Sequence, residues 1–325
     1  MTTFVAGATG VLGRRLVDDL TDRGGRVLGL VRDEAGAAAV GERGGEPRRG
    51  DVLDRDSLAA AVEGEDVDCV VHAATAIPTS RKPSAAEWER NDRVRVEGAR
   101  TLLAVAESAG ADRFVLESVV FLARRPDGSR FDEDAPPNPD PETESAVEAE
   151  RLVRASDVPA SVLRCGFLYA HDAAHVRGFA EGLLDGSLPV VGAGAFGRRE
   201  PPLSFVHADD AARAFADAVE AERTGLWHVV DDEPTSAARF LRGLADRLGA
   251  PAPHRIPGWL ARFLVGAATV RMMTAGMPTT NERIRAALGW EPAYPTVAAG
   301  LDAVVERWRD EGSLVERPDG DAWVG

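Results

Sequence analysis

Runs of apolar residues too short for a helix alternate along this chain with segments whose apolar positions recur every three or four residues. The short runs cover residues 4–6, 26–31, 46–52, 67–72, 113–118, 160–164 and 226–230, and they predict strands, most of them buried on both faces. Leu12, Leu16, Val17 and Leu20 mark a first amphipathic helix, and residues 57–62 a short one. A long helix runs from Ser84 or Trp88 to Ala109, with Asn91 near its start and Val94, Leu102, Leu103, Val105 and Ala106 as its apolar positions. Residues 143–155 predict another helix, and after residue 205 a strand turns directly into a helix that carries Asp209 and Asp210 in its first turn, where negative charge suits the dipole. Residues 235–248 are amphipathic and are stopped by Gly249-Ala250-Pro251. Strand and helix alternate throughout, so the predicted class is α/β, a doubly wound parallel sheet.

The first strand enters the first helix through Gly7-Ala8-Thr9-Gly10-Val11-Leu12-Gly13. Glycine at these positions leaves the backbone bare enough to meet a pyrophosphate, and Gly13 allows the helix to pack close to the strand. The free N–H groups of the helix start face the same place, with about half a positive charge from the helix dipole behind them. Gly7, Thr9, Gly10, Val11, Leu12 and Gly13 are therefore candidate phosphate contacts. The second strand ends at Arg32, about twenty residues beyond the last glycine, where such a unit reads the adenosine ribose. A guanidinium suits a 2′-phosphate, and Arg14 offers a second cation, so the expectation is NADP(H) over NAD(H). In the alternative, Asp33 takes a free 2′-hydroxyl and Arg32 is solvated. Asp51 and Val52 end the third strand, either beside an adenine edge or, for Asp51, as the cap of the next helix. The small residues Ala73, Ala74 and Thr75 allow a close approach to the cofactor, while His72 reads as a structural imidazole.

Charge removes some partners from consideration. With 53 acidic against 38 basic residues and a net charge of −15, binding of nucleic acid or anionic membrane through a general field is disfavoured. Residues 257–273 are apolar on most of their circumference, but Arg262 and Arg271 interrupt them and they are too short to span a bilayer. Core packing is the expectation there, with a lid or a homodimer face as the sharper reading. No signal peptide is evident, which predicts a cytoplasmic protein. Cys69 and Cys165 fall in predicted strands and read as buried free thiols, and no metal site is predicted. Residues 186–199, rich in glycine, are a candidate mobile substrate loop.

Taken in order, the glycine turn, Gly50-Asp51, His72-Ala73-Ala74, the helix from Asn91 to Ala106, residues 163–169, residues 205–211 and Leu288-Gly289-Trp290-Glu291-Pro292 resemble the extended short-chain dehydrogenase/reductase superfamily, which includes nucleotide-sugar epimerases, dehydratases and dihydroflavonol-type reductases. The similarity covers nearly the whole chain. It implies a Rossmann-type dinucleotide domain from residues 1–165 plus about 205–232, with Gly166 and Phe167 beside the cofactor. A smaller C-terminal substrate-binding cap would comprise residues 166–204 and 233–325.

The resemblance fails at the family's acid. That chemistry uses a tyrosine whose pKa is lowered by a lysine four residues later, but Tyr169 is followed by Ala173, Tyr294 by Ala298, and Lys82 is the chain's single lysine. Aligning Ser145, Ala149 and Glu150 with the family puts Glu142 at the tyrosine's place and Ala146 at the lysine's. Ser118 and Glu142 are the candidate catalytic residues. Ser118 either bonds a substrate oxygen or satisfies backbone at the strand end, and Glu142 is either an acid or a helix-start carboxylate. Lys82, in the loop 78–83, reads as a solvated loop lysine, with a reach over the cofactor as the sharper alternative. His171, His175 and His207 lie near the domain junction without a partner at a telling spacing. The reading that results is an NADP(H) reductase passing hydride to a small conjugated or quinone-like acceptor without a tyrosine acid. A non-catalytic NADP(H) sensor or scaffold is the alternative, and a nucleotide-sugar epimerase or dehydratase ranks third because its alcohol oxidation needs the missing base.

Overall fold

β1 (Thr2–Ala6), β2 (Arg26–Val31), β3 (Glu46–Arg49), β4 (Cys69–His72), β5 (Arg113–Val119), β6 (Ala160–Cys165) and β7 (Leu226–Val229) form one sheet in a computed structural model that describes residues 1–78, 82–315 and 321–323. The spatial order is β7-β6-β5-β4-β1-β2-β3, and every pairing is parallel. Parallel strands need crossovers, and helices α1 (Val11–Asp22), α2 (Glu34–Gly41), α3 (Arg55–Ala61), α4 (Ala85–Ala109), α5 (Glu144–Arg154) and α7 (Ala208–Glu220) cover both faces. One face packs Leu16, Val17 and Leu20 of α1 against Phe215 and Val219 of α7; the other packs Leu58, Leu102 and Val153 from α3, α4 and α5. This is a Rossmann-like α/β fold.

A third core lies beyond the sheet. It joins α6 (Ala174–Leu184), α8 (Ala237–Arg247) and α11 (Val297–Asp310) through Val176, Phe240, Leu241, Leu301 and Trp308. α9 (Gly258–Thr274) and α10 (Glu282–Leu288) complete the helices. None of the described helices is long and apolar enough to cross a membrane.

Several boundaries differ from those read from the sequence. β3 stops at Arg49 rather than residue 52, because the Asp51 carboxylate accepts a bond from the Leu53 N–H at 2.9 Å and turns the chain. The next helix begins at Arg55 and is capped by Asp54, which accepts from the N–H groups of Asp56 and Ser57, so Asp51 is not its cap. Ser84 opens α4 with a reciprocal capping box to Glu87, which settles that start. Residues 235–236 pair with Pro202–Leu203 instead of joining α8, and Ser236 caps that helix. Within 186–199, Val190–Gly192 is a short strand beside Arg255–Pro257.

The largest correction concerns α9. Gly266 takes φ 83°, ψ 163° and splits it into two half-helices. Only Gly258, Ala261 and Val270 are buried, while Trp259, Leu260, Phe263 and Leu264 are exposed at 58%, 41%, 76% and 56%. The first half-helix is therefore a bare apolar face and not core packing. An apolar sequence shows that a face is greasy and is silent on whether anything covers it.

Candidate cofactor and active site

The glycine turn is shaped by contact. Gly7 has φ 93°, and a Cβ built on it would lie 2.5 Å from the Ala73 carbonyl oxygen and 2.7 Å from the Ala74 nitrogen. A Cβ on Gly13 would drive into the Gly7 carbonyl. Gly10 stands at the cap position of α1 with extended backbone, its N–H bonded to the Gly7 carbonyl at 2.9 Å, and it has no side chain to claim the N–H groups that follow. Thr9 and Gly10 are exposed and Val11 is half-buried, so the first N–H groups of α1 look out of the sheet's carboxyl edge. A bare helix start beside small residues fits a dinucleotide pyrophosphate. Gly7, Gly10, Gly13, Ala73 and Ala74 meet at this one place, with Leu12 buried beneath; Thr75 follows, and the Ala76 N–H is tied to the buried Asn91 at 3.1 Å.

At the adenosine end, Arg32 is exposed and makes no ion pair among the described residues. Asp33 is committed: its Oδ1 accepts from the Gly36 N–H at 2.8 Å and caps α2. Arg49 stands beside Arg32, donating to its carbonyl and pairing with Glu34 at 2.6 Å. Sequence reasoning missed Arg49, because only the β2–β3 register, Val31 opposite Arg49, brings it there. Arg14 is elsewhere: it pairs with Asp172 at 2.5 Å next to Arg15, which bonds both Asp172 and Asp209. Asp51 is half-buried and Val52 buried, its carbonyl accepting from Thr101 Oγ1 at 2.5 Å.

The positions where the acid chemistry was sought are occupied by ion pairs. Ser118 is buried and its hydroxyl donates to Glu150 Oε1 at 2.6 Å. Glu150 in turn accepts from Arg164 Nε at 2.8 Å and Nη2 at 2.7 Å, and Ser118 and Arg164 are direct neighbours across β5 and β6. Glu142 is bonded by Arg271 of α9, Asp140 by Arg124, and Arg271 Nε lies 3.8 Å from Asp140. Arg124 is pushed down by burial and by the Arg271 charge. Ala146 is buried and inert. Lys82 is exposed, near Gly266; the rest of its loop, 79–81, lies outside the described residues.

The imidazoles are neutral spacers. Burial drives His72 down to about 4 and His207 to about 4; His207 packs against Tyr294, ring centroids 4.3 Å apart, while His175 bonds the Leu168 carbonyl at 3.0 Å. Both cysteines are buried free thiols, raised by desolvation.

Past the end of β6, Gly166 presses on the backbone of Ser204 and Phe205, and Phe167 begins an aromatic wall. Phe167 lies 5.4 Å from Phe205, which stacks on Phe240 at 5.1 Å, and Phe179 meets Phe240 edge-on. With Leu203, Met272 and Met273 these rings enclose an apolar recess between the sheet edge and α9. No charged side chain lines it, and its free volume of about 10 Å³ holds no more than a water.

The sequence model of a family described as NAD(P)H-binding matches residues 7–187. A 3-diazoavenalumate denitrifying reductase from Streptomyces sp is 40% identical over 313 residues, 93% of this chain and 99% of that protein. Among solved structures, UDP-glucose 4-epimerase of Thermus thermophilus, in complex with NAD, superposes with TM-score 0.77 at 24% identity, covering 95% of this chain and 99% of the other. The human epimerase family protein SDR39U1, with NADPH, also reaches 0.77 at 20% identity, covering 94% and 99%. Both structures share the fold.

Proposed function

Because the chain belongs to the NAD(P)-binding short-chain dehydrogenase/reductase superfamily, with the fold of its epimerases and dehydratases, we propose that it is a reductase passing hydride from NADPH to a small, electron-poor aromatic acceptor whose diazo group leaves as dinitrogen. The observation that carries this reading is the state of the acid positions. Glu142 is bonded to Arg271, Ala146 has no functional group, and the Ser118 hydroxyl is spent on Glu150. Reduction of a ketone needs a proton for the nascent alkoxide, and none of these groups is placed to give one.

A diazonium acceptor removes that need. An aryl diazonium cation and one hydride yield the arene and dinitrogen: the carbon–nitrogen bond breaks, a carbon–hydrogen bond forms, the two hydride electrons neutralise the cation, and no proton enters. The 40% identical relative carries a name that couples a diazo acid to denitrifying reduction. When bound, the nicotinamide supplies the hydride. The protein's part is to seat the pyrophosphate at Gly7 to Gly13 and so fix where the hydride is handed over. NADPH is favoured by Arg32 and Arg49 side by side and by the engagement of Asp33 in its cap.

The test is anaerobic NADPH consumption by the purified protein with an aryl diazonium salt that carries no ionisable hydroxyl, a quinone and an enone, scored against the uncatalysed rate. Turnover of the diazonium to arene and dinitrogen is expected, with loss of that turnover in Gly13→Ala, whose new methyl pushes the Gly7 carbonyl out of the turn that seats the pyrophosphate. NADPH is expected to bind about tenfold more tightly than NADH, a gap of about 1.4 kcal/mol that Arg32→Ala closes. A protein that leaves the diazonium untouched, or that reduces simple ketones instead, refutes the reading.

A further inference from the structure

Ala6, His72 and Leu116 stand in one row across β1, β4 and β5. The next row toward the carboxyl edge holds Gly7, Ala73 and Glu117, with Leu163 of β6 beyond. β4 has ended by then, so on that side Glu117 is flanked by the departing chain of small residues and not by a paired strand. In this architecture the adenosine half of a dinucleotide lies toward β2 and the other half toward β4 and β5. Two strand spacings, about 10 Å, separate Gly7 from Glu117, which places the Glu117 carboxyl on the nicotinamide side of the pyrophosphate seat.

Its bonding sets it apart. Glu117 accepts no hydrogen bond from any described residue; its one charged neighbour is Arg95 of α4, Nη1 to Oε2 3.7 Å, beyond hydrogen-bonding range. The Glu117 side chain keeps 13% of its surface and Arg95 7%, so both are nearly enclosed. A carboxylate with unclaimed lone pairs, held at the place where hydride is handed over, is a receptor for positive charge.

We propose that Glu117, beside Arg95, selects cationic aromatic acceptors over neutral ones of the same shape. The inference rests on the preceding reading for its location beside the nicotinamide and adds the charge of the substrate. Glu117 grips the cation at the acceptor's reactive end. Burial and three neighbouring groups bear on its charge. Burial opposes the ionised form, Arg95 on α4 favours it, Cys165 on β6 is an un-ionised thiol, and His72 on β4, near Arg95, is neutral above about pH 4. Burial leaves Glu117 above its usual carboxylate range, so it takes up a proton, and loses its hold on a cation, earlier on acidification than an exposed glutamate does.

The experiment uses an unreactive pair of probes on the NADPH-loaded protein: phenyltrimethylammonium and its neutral isostere tert-butylbenzene, with affinities read by calorimetry or by displacement. Glu117→Gln keeps the shape and removes the charge. Expected is an about tenfold loss of affinity for the cation, with the neutral probe and NADPH binding unchanged. In the wild-type protein the cation's affinity falls on acidification and the isostere's does not, an arm that needs no variant. In turnover, the variant raises KM for a diazonium acceptor and leaves KM for a quinone where it was. Equal effects on both probes, or none on either, overturn the proposal. Absence of turnover in the wild-type protein alongside intact charge discrimination refutes the reductase reading and leaves the charge assignment standing.

Discussion

Glu150 and Glu117 approach the end of the same strand from opposite conditions. Glu150 is sealed, with 5% of its side chain exposed, and three hydrogen bonds from Ser118 and Arg164 use its two oxygens. Glu117 is nearly as enclosed and has one arginine at 3.7 Å with no hydrogen bond. Burial costs both carboxylates their water, and only the first recovers it in bonds. The difference teaches how to tell a structural acid from a working one: the saturated group has nothing left to offer a substrate, and the open group does. By that criterion Ser118, the family-like hydroxyl, belongs to the structure and its sequence neighbour belongs to the site.

Removing one partner of the saturated pair breaks this comparison hardest. Arg164→Met leaves Glu150 charged and buried with only the Ser118 hydroxyl, and is expected to cost about 3–5 kcal/mol in denaturant unfolding. The double variant Arg164→Met/Glu150→Leu recovers most of that loss, since two apolar groups replace a pair that no longer needs hydration. A cost below about 1 kcal/mol for the single variant would mean that the pair is not sealed.

Ser118→Ala is the next largest. It deletes one bond to a charged group that keeps both its arginine contacts, so about 1–2 kcal/mol of stability is expected to go, with kcat/KM within about twofold of wild type. A drop in kcat of about a hundredfold at unchanged stability would return Ser118 to the active site and dissolve the contrast with Glu117.

What the sequence made legible follows from range. The turn from Gly7 to Gly13 is local, its glycines are demanded by contacts within a few residues or with the neighbouring strand end, and the pattern identified it and the doubly wound sheet around it. The absence of a tyrosine and lysine pair was equally plain, because a missing residue type needs no geometry. The pairs that now occupy the site were not legible. Arg95 and Glu117 meet across a helix and a strand, Ser118 and Arg164 meet only through the β5–β6 register, and Arg271 reaches Glu142 from 129 residues away. Arg14 looked like a phosphate ligand by its position after Gly13, yet Asp172 holds it, a partner that only the folded chain supplies. Asp51 and Asp54 both sit where a cap belongs, and the choice fell to whichever carboxylate reached the first N–H groups.

Asp231 sharpens the contrast with an effect that starts from nothing near the unfolded carboxylate pKa of about 3.9 and grows with pH. It is 2% exposed and neither carboxyl oxygen has a hydrogen-bond partner among the described residues, as for Glu117, but the charges that act most strongly on it, Asp232, Asp210 and Glu233, are all acidic. Burial and then Asp232 push it up to about 9. A folded pKa above the unfolded value of about 3.9 means that the native state holds the extra proton between the two, so this group's contribution to stability falls as pH rises from about 4 to about 9. Asp231→Asn mimics the protonated form. At about pH 4 it is expected to match wild type within about 1 kcal/mol, and above that to gain on wild type by up to about 1.4 kcal/mol for each pH unit, with turnover at pH 7 unchanged. Glu133, also raised by burial, stays in the variant, so some decline persists. Urea unfolding at steps from about pH 5 to about pH 9 checks this. A variant with the wild-type slope would show Asp231 to be ionised and bonded in solution, and a carboxyl without hydrogen bonds would then no longer distinguish Glu117.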